Sequence, residues 1–328
     1  MAVLEHENAD RQNESLFRRR LLAWYGKQQR RLPWRGETDP YCILVSEIML
    51  QQTRVAVVID RYQSFIKQFP SAARLARAKE ETVLAAWSGL GYYRRARALH
   101  RAAKEIVDRG SFPASATELV ALPGVGRYTA AAVASIAFGE AVAVVDGNVK
   151  RVIDRVVKRK IADAGPAPED QYWEVAGRLL DKRQPGDFNQ AMMELGALVC
   201  LPAQPQCHAC PVASLCALRG PVAKREPQVR RKGVLYYALK RRNGSVLLRQ
   251  RSRKSSLMPA MWELPEIRFK KRNDIPLFKL RHSITITDYS VLVFAVRNTG
   301  SAAGQWVPMR AAERLPLTGL TRKILRML

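Results

Sequence analysis

The chain has 328 residues, of which 47% are hydrophobic; that is enough for two domains of roughly 150 residues with real cores, and too apolar for wholesale disorder. It carries 55 Lys and Arg against 29 Asp and Glu, and the excess is uneven: 31 basic against 23 acidic over residues 1–220, but 24 against 6 over 221–328. No apolar run is long enough for a membrane span and Met1–Arg20 is too polar for a secretory leader, while the net charge of +26 points to a polyanion, nucleic acid before an anionic membrane.

The first 220 residues read as successive helices. Ser15–Gln28 is amphipathic, with Phe17, Leu21 and Trp24 spaced for one face. Tyr41–Gln52, Val55–Phe69, Glu80–Ser88, Tyr92–Asp108 and Ser115–Ala121 follow, the last opening with Ser115 and Glu118 in capping-box spacing. Arg127–Phe138, Asn148–Lys158, Glu169–Leu180 and Phe188–Cys200 complete the set. Pro221–Lys232 reads as a basic linker. Beyond it the periodicity turns to strands, at Gly233–Leu239, Ser245–Gln250, Ser283–Ile286 and Val291–Val296, with a hairpin signal at Asn243–Gly244 and a closing helix at Leu317–Met327. The expectation is an all-α domain over 1–220, a linker over 221–232 and an α+β domain over 233–328.

Three features carry chemistry. Cys200, Cys207, Cys210 and Cys216 are spaced C-x6-C-x2-C-x5-C, a set able to bind zinc or an iron–sulfur cluster; spacing does not choose between them. Cys42 lies alone in an apolar run and is expected to be packed. Leu122-Pro123-Gly124-Val125-Gly126 joins two helices. It is either a plain tight connection or a turn whose Gly124 and Gly126 let backbone amides meet a phosphate, and the charge favours the second. Two carboxylates stand out. Glu47 has Ile43, Leu44 and Leu50 as helical neighbours, so its carboxyl should be hard to ionise and fit to act as a general acid, unless a salt bridge holds it. Asp146, before Gly147-Asn148-Val149, suits a helix N-cap, and also an anion facing developing positive charge.

Ser46-Glu47-Ile48-Met49-Leu50-Gln51-Gln52-Thr53, Gly89-Leu90-Gly91-Tyr92-Tyr93, the glycine turn, Asp146-Gly147-Asn148-Val149, Phe188-Asn189-Gln190-Ala191-Met192-Met193 and the cysteine set occur in that order. Together they resemble the MutY-type adenine DNA glycosylases of the helix-hairpin-helix superfamily, over residues 15–216. The resemblance implies a [4Fe–4S] cluster on the four cysteines and removal of adenine mispaired with 8-oxoguanine or guanine in double-stranded DNA. It makes Glu47 the acid and Asp146 the stabilising carboxylate, supported by Tyr128 and Asn148. Arg30, Trp34, Arg35, Leu50 and Gln190 match the adenine pocket; Gln52, Thr53, Leu90 and Tyr92 match the lesion side, with Tyr92 as an intercalating wedge. The expected setting is cytoplasmic (at the nucleoid in a bacterium), as a monomer away from membranes.

Sister enzymes resembling endonuclease III attack the sugar with a lysine where this chain has Tyr128, so strong strand cleavage is not expected. Thymine-mismatch glycosylases share the turn and cluster without predicting the basic second domain. That second domain resembles a Nudix fold, but its five acidic residues over 233–328 are too scattered for nucleotide hydrolysis. A purely DNA-binding protein would have no use for Glu47 and Asp146 together. Two departures from the family stand out. Leu201–Gln206 carries no basic residue. Where the resemblance implies a lesion-sensing Phe-Ser-His segment, the matching stretch Arg281–Thr287 places Ile284-Thr285-Ile286, so the polar contact comes either from the Thr285 hydroxyl or from His282-Ser283 just upstream.

Overall fold

The structure is a computed structural model that describes residues 2–157, 168–221, 230–267, 275–284, 286–296 and 304–328. The chain divides into two compact units, one of Met1–Ala76 with Arg101–Arg225 and the other of Arg77–His100 with Glu226–Leu328. The segment 77–100, helical by sequence, therefore groups with the C-terminal strands.

In chain order the helices are α1 (Ala2–Gln28), α2 (Pro40–Leu50), α3 (Val55–Gln68), α4 (Ala72–Ala76), α5 (Glu80–Ala86), α6 (Arg94–Arg109), α7 (Ala116–Leu119), α8 (Arg127–Ala137), α9 (Gly147–Val156), α10 (Glu169–Leu179) and α11 (Pro185–Leu198). In the first unit α11 is the hub, packing on α1, α8 and α9. Its Phe188, Ala191, Met192 and Leu195 share a core with Val149, Val152 and Ile153 of α9. On α1 the buried stripe is Phe17, Leu21 and Tyr25, not Trp24, which is half-buried at the edge of that core. The i, i+4, i+8 spacing won because it follows a single row of the helix surface. Helix α2 has no polar face at all: Tyr41 to Met49 are all buried, so Glu47 sits inside a core helix rather than on one side of an amphipathic one. The capping box of Ser115 and Glu118 is formed as expected.

In the second unit, β1 (Arg231–Leu239), β2 (Arg241–Arg242), β3 (Ser245–Gln250), β4 (Trp262–Glu263), β5 (Phe278–Ile284), β6 (Thr287–Ala295) and β7 (Gln305–Pro308) precede α12 (Met309–Ala312) and α13 (Gly319–Leu325). One sheet has the order β1-β6-β5, with β1 and β6 parallel; in the other, β3 pairs with β2, β4 and β7. Asn243 and Gly244 make the hairpin turn with φ of 47° and 70°, as a two-residue loop demands. Val246, Leu248, Val291, Val293 and Ile324 close the core of this unit. Of the expected linker, residues 222–229 lie outside the described residues, and so does Thr285.

Candidate active site

In the first unit the end of α2, the start of α8, the start of α9 and the middle of α11 surround a cleft of about 600 Å³. Glu47 reaches it from α2 and is 5% exposed. Burial pushes its carboxyl up to about 7; the Tyr128 hydroxyl, donating to Oε2 at 2.8 Å, opposes the rise, and the charge of Asp146 adds to it. Tyr128 also lies 3.2 Å from the Met193 sulfur, and burial beside the two carboxylates lifts its own ionisation well above the phenol range, so it stays a donor. A carboxyl near 7 is poised to give up a proton at neutral pH.

Asp146 is at once the N-cap of α9 and a wall of the cleft. Its Oδ1 accepts from the Val149 amide at 2.7 Å and its Oδ2 from the Asn148 side chain at 3.0 Å. Burial raises the Asp146 carboxyl, while these donors and Arg151 pull it back toward the charged form. Asn148 is held in turn: its Oδ1 accepts from Arg151 at 2.7 Å, and Arg151 also donates to the Gly196 and Cys200 carbonyls. Gly196 is required there, because a Cβ on it would lie 2.5 Å from the Cβ of Asn148. A side chain at 196 would therefore displace the residue that orients Asp146.

The opposite wall is an ion cluster. Glu194, 2% exposed, accepts from the Arg30 amide at 2.9 Å and from its guanidinium twice at 2.8 Å, and from Arg35 at 3.3 Å. Arg35 donates onward to Gln190 and lies over the Tyr25 ring. Burial opposes ionisation of Glu194, but the Arg30 hydrogen bonds and the two cations outweigh it and leave this carboxyl below its ordinary range. The cleft thus holds two carboxyls that burial raises, Glu47 and Asp146, and one, Glu194, that its cations keep charged.

The structure gathers Arg30, Trp34, Arg35, Glu47, Leu50, Gln52, Thr53, Tyr128, Asp146, Asn148 and Gln190 around this one cleft. Gln52 has φ 55°, a left-handed conformation unusual outside glycine, at the turn where α2 stops. Glu194 and Gly196 carry no expectation from the sequence, and Met193 enters there only as the end of the Phe188–Met193 motif. Glu194 carried a weaker signal than Glu47: Met192, Met193 and Leu195 adjoin it in sequence, but its helical neighbours at the Glu47 spacing are Gln190, Ala191 and Ala197. Gly124 takes φ 79° in the turn before α8, and Gly126, exposed, opens α8 without a side-chain cap, which leaves its first amides to a ligand. Leu90 and Tyr92 belong to the second unit; Leu90 is buried and Tyr92 exposed.

Cys200, Cys207, Cys210 and Cys216 form no disulfide, and each is half-buried. Burial pushes the Cys210 thiol up to about 11, aggravated by the other three, so the four are electrostatically coupled neighbours. Arg155 donates to the Cys200 sulfur at 3.1 Å and the Gly220 amide to the Cys207 sulfur at 3.4 Å. Among the described residues no group of His, Cys, Asp or Glu is drawn in tightly enough for a single metal ion. A cluster spreads its four ligands over several irons and is tuned by N–H donors to sulfur, which Cys200 and Cys207 have.

Residues 45–167 match the HhH-GPD superfamily of base excision DNA repair proteins. The chain is 48% identical to the adenine DNA glycosylase of Homo sapiens over 214 residues, covering 62% of this chain and 39% of that protein. It is 39% identical over 204 residues to the adenine DNA glycosylase of Buchnera aphidicola subsp. Baizongia pistaciae, covering 61% of this chain and 58% of that protein. It therefore spans well under two thirds of either relative. Among solved structures, a thermostable thymine-DNA glycosylase superposes with a TM-score of 0.59 at 30% identity, over 64% of this chain and 97% of that one. The chain belongs to the HhH-GPD superfamily of base excision DNA repair proteins, and its helical part resembles the adenine DNA glycosylases among them.

Proposed function

We propose that the protein is an adenine DNA glycosylase that removes adenine mispaired with 8-oxoguanine or guanine and leaves an abasic site. The observation that carries this reading is the pairing of Glu47, held near 7, with Asp146, fixed by two donors, on one cleft. The base leaves the stack and enters the cleft, because its glycosidic bond is out of reach in the duplex. Glu47 protonates N7 and makes adenine a better leaving group, and Asp146 stabilises the positive charge that grows on the sugar. This is the division of labour of two-carboxylate glycosidases. Tyr128 donates to Glu47 where a lyase would carry an amine, so the enzyme is monofunctional or only weakly strand-cleaving. Arg30, Trp34, Arg35, Leu50 and Gln190 shape the base site and Gln52 and Thr53 its lesion side; in the second unit Tyr92, close to Leu90 in sequence, is the wedge that enters the duplex. The amides after Gly124 and Gly126 seat a phosphate without reading sequence.

Cys200, Cys207, Cys210 and Cys216 hold a [4Fe–4S] cluster that acts as a structural staple, consistent with the Arg155 contacts to Cys200, Leu201 and Pro202 that tie down an uncharged loop. Purified protein should contain about four irons per chain with a broad iron–sulfur absorbance; zinc in their place contradicts it. The C-terminal strands form a Nudix-like module used for DNA holding. The working protein is a monomer on cytoplasmic DNA. A thymine specificity is the second reading, favoured by the superposition on a thymine-DNA glycosylase. One assay separates the two: duplexes with 8-oxoguanine:adenine, guanine:adenine and guanine:thymine pairs, each treated with alkali to reveal abasic sites. Cleavage of the adenine strands supports the proposal; cleavage confined to guanine:thymine overturns it.

A further inference from the structure

The turn from Gly89 to Tyr92 is built of conformations that chains avoid. Gly89 and Gly91 have φ of 97° and 68°, and Tyr92, which is no glycine, has φ 46°. A left-handed tyrosine is strained, so its surroundings must hold it there. Tyr92 is also 53% exposed, so burial in a core does not supply the hold.

The hold comes from below. Arg95, in the first turn of α6, sends Nη2 back to the Leu90 carbonyl at 3.1 Å and the Gly91 carbonyl at 3.3 Å. Its guanidinium lies between two rings, 5.4 Å from the centre of Tyr92 and 5.6 Å from that of Trp87. Trp87, fully buried, donates its indole N–H to the same Gly91 carbonyl at 3.1 Å. Burial lowers the Arg95 guanidinium to about 10, which still leaves it charged at neutral pH. One planar cation thus fixes both the backbone of the turn and the face of the exposed ring. Lysine could supply the charge and a donor, but not the plane that lies over both rings.

We propose that Arg95 is a positioning residue that sets the angle at which the Tyr92 ring is presented to the duplex. The proposal rests on the reading of the protein as a base-flipping glycosylase, but its first test does not. In full-length Arg95→Met, amide hydrogen exchange over Gly89–Tyr93 should accelerate at least tenfold while exchange in α2 and α8 is unchanged; Arg95→Lys should fall between that variant and the wild type. The second test uses 8-oxoguanine:adenine duplex. Arg95→Met should lower kcat/KM tenfold or more without moving the pH midpoint of the single-turnover rate, and Tyr92→Ala with Arg95→Met should be no slower than Tyr92→Ala alone. Exchange within twofold of wild type, or losses that multiply in the double variant, overturns the proposal. If Arg95→Met does not fold, the exchange comparison is decided by Arg95→Lys. If the wild type releases no adenine from any duplex, the functional reading fails while the exchange result still judges Arg95.

Discussion

Among the described residues both compact units bury glutamate, and Glu47 of the helical unit and Glu263 of the other are treated in opposite ways. In the strand-containing unit Glu263, 2% exposed, takes Arg249 at 2.8 Å and Arg251 at 2.6 Å, so both carboxylate oxygens meet a cation. In the helical unit Glu47 is buried as deeply, but its hydrogen bond comes from the neutral Tyr128 hydroxyl and the neighbouring carboxylate adds to its discomfort. A buried carboxyl that is paired serves the fold, whereas one kept from its charge costs stability and is retained for chemistry. Glu194 shows that the cleft had cations to give: Arg30 and Arg35 are bonded to it, and Arg35 reaches Glu47 through its charge alone, too weakly to undo the effect of burial.

The largest test of that contrast is Glu47→Gln. It should lower single-turnover adenine release at least a hundredfold while binding to mismatched duplex persists, since general acid catalysis contributes 10²–10⁴. The same substitution should stabilise the protein. The folded-state carboxyl lies near 7 against an ordinary 4.5, so the folded state holds its proton more tightly and the wild type loses stability as pH rises from about 4.5 to about 7. Above that range the glutamine variant should be more stable by on the order of 3 kcal/mol, and near pH 4 by almost nothing. Chemical denaturation at the two pH values measures the difference.

Glu263→Gln should do the reverse: a loss of about 3 kcal/mol, because two arginines lose their counter-charge, seen as a lower denaturation midpoint. An unchanged midpoint would remove the contrast between the units.

How much of this could be read beforehand depended on range. Glu47 and Asp146 were legible because their signals are local, an apolar flank and an N-cap. Glu194 has Gln190 and two alanines at the spacing where Glu47 has Ile43, Leu44 and Leu50, and its meaning depends on Arg30 and Arg35, more than 150 residues away in sequence, as the Glu194 hydrogen bonds show. Strand register was closed to the sequence for the same reason, since β1 pairs in parallel with β6 across half the unit. The grouping of 77–100 with the C-terminal strands was hidden because its periodicity is that of any helix; the contacts are specific, Tyr93 to the Leu317 carbonyl at 3.1 Å and Arg97 to the Pro259 carbonyl at 2.7 Å.

That grouping bears on the basic C-terminal module, whose contribution is best measured by point substitution, because cutting at 226 strips residues 77–100 of these partners. Replacing Lys232, Arg241 and Arg242 by Ser should weaken binding to 8-oxoguanine:adenine duplex and to undamaged duplex by similar factors. Each lost phosphate contact should reduce the salt slope by about 0.9. A loss more than tenfold greater for the lesion duplex would mean that these residues read the lesion. The smallest effect concerns backbone strain in this unit. Ala260 has φ 57°, and Ala260→Gly should leave activity intact and raise stability by up to about 1 kcal/mol, the left-handed penalty less the extra freedom of glycine when unfolded. A thermal melt is sufficient to show it.

The central claim is that Glu47 must carry a proton at neutral pH for adenine to leave, and the pH dependence of the single-turnover rate on 8-oxoguanine:adenine duplex tests it most directly. The rate should be high below neutrality and fall tenfold for each pH unit well above about 7, as the Glu47 proton is lost. At the acid end it should fall again as Asp146 becomes protonated, somewhat above the ordinary aspartate range. A rate that is flat from pH 6 to pH 9, or that rises across that range, contradicts the assignment.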